Sequence, residues 1–87
     1  MYKIIFVDPD NSAIDTICNI FDWKEMGIEP IGMFNNAIDA VDFLKTNSVD
    51  AVLTEVNISD FSGIDLAKYV NKNLKNTIVA FMSKYPS

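Results

Sequence analysis

Lys3-Ile4-Ile5-Phe6-Val7-Asp8-Pro9-Asp10-Asn11 is the stretch from which the rest of the chain can be read. Its apolar run does not alternate with polar residues, and it stops abruptly on two carboxylates with a proline between them. A short unbroken apolar run fits a strand buried on both faces, as in a parallel sheet. The same design returns at Asp50-Ala51-Val52-Leu53-Thr54, which stops at Glu55, and at Thr77-Ile78-Val79-Ala80-Phe81-Met82, which Ser83 and Lys84 follow. Glu29-Pro30-Ile31-Gly32-Met33-Phe34 is a weaker strand, and its proline and glycine suit a sheet edge.

Helical spacing fills the intervals. From Ser12 to Asp22 the apolar positions are Ala13, Ile14, Ile17, Cys18 and Phe21. Asp10, Asn11 or Ser12 can cap this helix, and Ser12 with Asp15 has the spacing of a capping box. Asn35 or Asn36 caps a second helix with Ala37, Val41 and Leu44 on one face and Ile38 beside them. Residues 57–62 read as loop, and Gly63 to Leu74 as a third helix carrying Leu66, Ala67, Val70 and Leu74 inward. Strands alternating with helices of this length imply parallel pairing through right-handed crossovers, hence an open, doubly wound α/β sheet.

Composition narrows the function. The 87 residues hold 7 Lys+Arg against 12 Asp+Glu, a formal charge of −5, and no His. An acidic balance argues against direct nucleic-acid binding. Without His, the Ser-His-Asp and Cys-His arrangements and the commonest zinc sites are absent. A single cysteine, Cys18, excludes an intramolecular disulfide and fits a reducing compartment. The apolar runs are too short to span a bilayer, and the first strand begins too close to Met1 for a signal peptide. The expectation is one small cytoplasmic domain with no membrane association.

In doubly wound sheets, ligands bind outside the carboxyl ends of the strands. The residues at that rim are Asp8, Pro9 and Asp10 after the first strand, Glu55 after the third, and Ser83 and Lys84 after the fourth. Asp8, Asp10 and Glu55 form a candidate acidic pocket and a candidate oxygen-ligand set for Mg²⁺. The alternative is that they are solvated caps at strand ends.

Taken together, these motifs resemble the receiver domain of two-component response regulators. The resemblance rests on Ile5-Phe6-Val7-Asp8-x-Asp10, on Thr54-Glu55-Val56, on Gly63 opening the third helix, and on Met82-Ser83-Lys84-Tyr85. Phe21-Asp22-Trp23-Lys24-Glu25-Met26-Gly27-Ile28 is similar to receivers fused to AraC-type DNA-binding domains. The resemblance implies a flavodoxin-like sheet of strand order 2-1-3-4. It makes residues 1–87 a partial receiver domain, without the family's last strand and two helices. It also implies Mg²⁺ held by an acidic pair, an aspartate that takes a phosphoryl group from a sensor histidine kinase, a sensing hydroxyl and a lysine.

Position by position, Asp8 matches the first acid of the pair, Pro9 stands where the second belongs, and Asp10 follows it. Glu55 occupies the phosphoacceptor position, Ser83 matches the sensing hydroxyl, and Ser59 replaces a proline frequent in the family. The lysine position falls beyond Ser87, and Lys84 is in the wrong loop to replace it. Proline offers neither carboxylate nor N–H, and the extra methylene of Glu55 shifts its carboxylate by about one bond, a misplacement of the order of 1 Å that can cost roughly a hundredfold in rate.

The expectation is therefore a pseudo-receiver: a signalling module, not an enzyme, that controls an output domain by partner binding or dimerisation. Glu55 is either a partial mimic of a phosphorylated aspartate or an inert relic. The alternatives are a working Mg²⁺-dependent phospho-receiver and a flavodoxin-like cofactor binder, the latter without a phosphate-cradling loop. The fourth strand, apolar at Ile78, Val79, Ala80 and Phe81, is expected to be an open edge through which two copies pair or swap segments. Trp23 and Phe21 are expected to close one end of the core, Met26, Met33 and Met82 to fill gaps, Cys18 to be a small core hydrophobe, and Lys72 and Lys75 to complement a helix dipole.

Overall fold

The computed structural model describes residues 1–56 and 62–82. In chain order the elements are β1 (Tyr2–Val7), α1 (Asn11–Ile20), β2 (Ile28–Phe34), α2 (Ala37–Thr46), β3 (Ala51–Glu55), α3 (Gly63–Asn73) and β4 (Ile78–Met82). All strand pairs are parallel, in the order β2-β1-β3-β4. The sheet is thus the doubly wound one that the apolar runs imply. Right-handed crossovers carry the chain outward from β1 to β2 through α1, and back past β1 to β3 and β4 through α2 and α3. They put α1 on one face and α2 with α3 on the other.

Strand alternation divides the core between those faces. Ile5, Val7 and Val52 pack with Ala37, Ala40, Leu44, Val49, Leu66 and Val70 in one buried cluster on the α2/α3 side. On the α1 side Ile4, Phe6 and Ile14 are buried, and the Phe6 ring lies 5.5 Å from that of Trp23. Trp23 donates its indole N–H to the Ile17 carbonyl at 3.2 Å. Phe21 covers Trp23 edge-on at 5.3 Å while remaining half exposed.

The helix starts are chemically explicit. Among the three candidates for α1, Asp10 is the cap, its carboxylate accepting from the Ser12 N–H at 2.9 Å. The Ser12–Asp15 box therefore does not form, because Ser12 already sits inside the helix. Asn36 caps α2 and accepts from the Asp39 N–H at 2.8 Å. A capping box does exist, at α3: Asp65 N–H donates to Ser62 Oγ at 3.1 Å and Ser62 N–H donates back to Asp65 at 3.3 Å.

Several side chains differ from their sequence expectations. Ile38 is exposed, since one residue past Ala37 is a 100° turn away from the core. Met26 and Met33 are exposed and fill no gap. Cys18 is half-buried; burial, and secondarily the Asp15 carboxylate, push its thiol up from its ordinary value. It is a small hydrophobe and not a primed nucleophile. The two edges also differ. β2 is blunted by Pro30 and by a register shift opposite Ile4/Ile5, whereas β4 is regular and presents exposed Ile78 and Phe81.

Candidate functional site

Val7 and Thr54 are partners in the β1–β3 ladder. The next residue on each strand, Asp8 and Glu55, therefore emerges beside the other at the carboxyl rim. By alternation both belong to the side facing α1. Asp8 is 1% exposed and Glu55 6%. Carboxylates removed from water to this degree need hydrogen-bond donors, and backbone amides supply some. Asp8 Oδ1 accepts from the Asp10 N–H at 2.8 Å, and Glu55 Oε1 accepts from the Val56 N–H at 3.1 Å.

The loop after β1 is also tied from the side. Asp8 N–H donates to the Phe34 carbonyl at 2.9 Å. The Asn35 amide donates to the Asp8 carbonyl at 3.1 Å and to Asn11 Oδ1 at 2.6 Å. Asn35 thus joins the end of β2 to both limbs of the acidic loop. Sequence reading sees Asn35 only as a possible cap, because this contact exists only once β2 lies alongside β1.

Asp10 is tied to Asp8 through its N–H, but its own side chain differs from the buried pair. It is exposed, and its carboxylate accepts from the first turn of α1. Pro9, between the two aspartates, has no oxygen ligand in its side chain. Among the described residues, no group of three Asp, Glu, Cys or His side chains converges to hold a metal ion. Asp8, Asp10 and Glu55 do not by themselves make such a group. A cleft of about 490 Å³ opens between this rim and α1, lined by Asp8, Asp10 and Ser12 together with Ala13, Ile17 and Met82. It takes in two of the acids but not Glu55. Ser83, Lys84 and Ser59 lie outside the described residues.

Glu55 is fixed from behind by α3. The Gly63 N–H donates to the Val56 carbonyl at 3.0 Å, and Thr54 Oγ1 donates to the Glu55 carbonyl at 3.0 Å. A Cβ on Gly63 would collide with the Glu55 carbonyl oxygen and lie 3.1 Å from Val56 Cα. Both obstacles are backbone, so neither can rotate away. Gly63→Ala is expected to destabilise the fold by about 1–3 kcal/mol in urea unfolding, the usual range for overpacking. A loss under about 0.5 kcal/mol, the scale of an ordinary surface change, would show that α3 does not bear on β3 in this way.

Comparison with known proteins agrees with this geometry. The chain is 28% identical over 71 residues to the uncharacterized transcriptional regulatory protein YesN of Bacillus subtilis, covering 82% of this chain and 19% of that protein. It is 28% identical over 83 residues to protein MrkE of Klebsiella pneumoniae, covering 95% of this chain and 30% of that one. The chain therefore spans less than a third of the length of either relative. Among solved structures, the response regulatory domain of MrkE superposes with a TM-score of 0.85 at 24% identity, over 98% of this chain and 69% of that one. The receiver domain of AraT from Geobacillus stearothermophilus gives 0.86 at 20% identity, over 92% and 62%. A CheY-like receiver domain protein from Methanospirillum hungatei gives 0.84 at 18%, over 100% and 67%. These structural likenesses establish the fold. The response regulator receiver domain family itself matches residues 4–87, and with nearly the whole chain inside that match, the protein belongs to the response regulator receiver domain family.

Proposed function

We propose that this chain is a pseudo-receiver, a signalling module that is not phosphorylated in the usual way. Its partners on this reading are a sensor histidine kinase or another signalling protein and an output domain, in the cytoplasm. The observation that carries the reading is the state of the three acids. Glu55, at the phosphoacceptor position, is buried with its carboxylate on its own neighbour's amide. Asp10 serves the α1 cap, and Pro9 removes the second acid of the pair. An attacking carboxylate needs its charge and that of the phosphoryl group offset by a metal and a cation, and the metal set is not assembled among the described residues.

Glu55 then serves as a fixed negative charge at the rim, with Asp8 beside it. The charge is −1, against the −1.5 to −2 that a phosphoryl group adds, so it copies the phosphorylated state only in part. Output follows from contacts of the rim and the α1 cleft with partners. A second route is association of two copies through β4, whose regular apolar edge contrasts with the blunted β2 edge. This is binding chemistry, and no catalytic residue is assigned.

The test is incubation with a small phosphodonor and Mg²⁺, followed by intact mass. The expected spectrum shows only the unmodified chain. A gain of one phosphate mapped to Glu55 would overturn the reading in favour of a working Mg²⁺-dependent phospho-receiver.

A further inference from the structure

Charge is divided unevenly between the two faces of the sheet. Lys68 and Lys72 lie on α3 and Lys75 just after it, at spacings of four and three residues, so they form one outward stripe. All are exposed, no acid occurs from Leu66 to Thr77, and the one acid of α3, Asp65, is held in the capping box. Among the described residues the recorded ion pair is Lys45–Asp42, which involves none of them. The helix dipole accounts for lysines in the last turn, but not for Lys68 in the middle of α3.

The opposite face has the reverse balance. From residue 10 to 25, along α1 and the turn after it, Asp10, Asp15, Asp22 and Glu25 are exposed against Lys24 alone. With both caps set aside, the arithmetic is 1 − 3 = −2 around α1 against +3 on the α3 stripe, while α2, on the same side of the sheet as α3, adds Asp39 and Asp42 against Lys45, 1 − 2 = −1.

We propose that the lysine stripe of α3 docks on the acidic α1 face of a second copy of this chain, head to tail. Charge complementarity selects this occupant, since both halves of the contact are present on each molecule. The two surfaces are on opposite faces of the sheet, so each docking leaves one free half at either end. The assembly is open-ended, unlike a two-fold dimer. It is also independent of the pseudo-receiver reading and of pairing through β4.

Net charge gives the assembly a diagnostic salt dependence. The molecule measures 31 × 29 × 21 Å. At about 0.01 M salt the screening length, roughly 30 Å, exceeds the thickness of the molecule, and the −5 charge of each copy repels the other. At about 0.1 M it falls to roughly 10 Å, so facing stripes attract while the net charges are screened. At about 1 M it is roughly 3 Å, and the stripes are screened too. Association therefore peaks at intermediate salt. Apolar pairing of β4 edges has no such peak.

The experiment is sedimentation velocity on the 87-residue chain at those three salt concentrations, with two neutralised variants, Lys68→Gln/Lys72→Gln and Asp15→Asn/Glu25→Gln. Circular dichroism first establishes that both variants fold. The expected result is association strongest near 0.1 M, weakened roughly tenfold or more in either variant alone. Mixing the two variants restores one intact contact and gives a capped 1:1 complex. A wild-type chain that stays monomeric at about 0.1 M salt overturns the proposal. So does association that rises steadily with salt and ignores both variants, which would mark β4 pairing, and so does a mixture of folded variants that forms no complex.

Discussion

Phe6→Ala is expected to cost about 3–5 kcal/mol, the range for removing a fully buried aromatic side chain. Phe6 has no exposed surface and is the largest of the fully buried side chains among the described residues. At about 0.05–0.15 kcal/mol per residue, a chain of this length has roughly 4–13 kcal/mol in total, so the substitution removes a large share of it. The cost falls on the thinner of the two cores. On the α1 side the buried apolar residues are few, and the Phe6–Trp23 contact closes that layer at one end. Trp23 supplies a second readout. With Phe6 gone, its ring keeps only Phe21 as an aromatic neighbour among the described residues, and its emission is expected to shift to the red in the population that remains folded. A loss below about 1 kcal/mol with unchanged emission would contradict this account, because a methyl cannot fill the space of a phenyl ring.

The same residue illustrates what could be read from sequence. Phe6 lies in an unbroken apolar run, and such runs mark β1, β3 and β4 and the rim that bears Asp8 and Glu55, because burial on both faces leaves no polar position; the order of the strands in the sheet comes from the family resemblance instead. The expected boundaries lie within a residue or two of the observed ones, with Asp22 and Thr77 just outside α1 and β4. Three features were not legible. The choice of Asp10 over Ser12 as cap depends on where the chain leaves β1, and sequence spacing permits either. Ser62–Asp65 forms the real capping box but sits in a stretch that reads as loop followed by Gly63. Asn35 bridges loops that are distant in sequence. Met26, Met33 and Ile38 differ for another reason: apolar character alone does not tell which side of an element meets the core, and small domains leave many apolar residues at the surface.

Leu66→Ala tests the other core and is expected to cost about 2–5 kcal/mol. Leu66 is fully buried on α3, in the cluster with Val52 and Val70. The cost should lie in the upper half of that range, because the site cannot easily collapse. One turn earlier Gly63 is pinned against the backbone of Glu55 and Val56, so α3 is not free to sink into the cavity. Ile78→Ser, on the exposed edge strand, is the control and should change stability by less than about 0.5 kcal/mol. The double variant Gly63→Ala/Leu66→Ala then separates two models of how α3 holds the rim. If the backbone clamp and the core contact are independent, the costs add within about 0.5 kcal/mol. If one depends on the other, a helix already lifted by the alanine at 63 no longer seats Leu66 fully, and the double variant loses less than the sum. Subadditivity is the expected result, since a displacement at Gly63 is carried by a rigid helix to Leu66 within one turn. Strict additivity would mean that the position of Glu55 is set by β3 alone, with α3 merely resting against it.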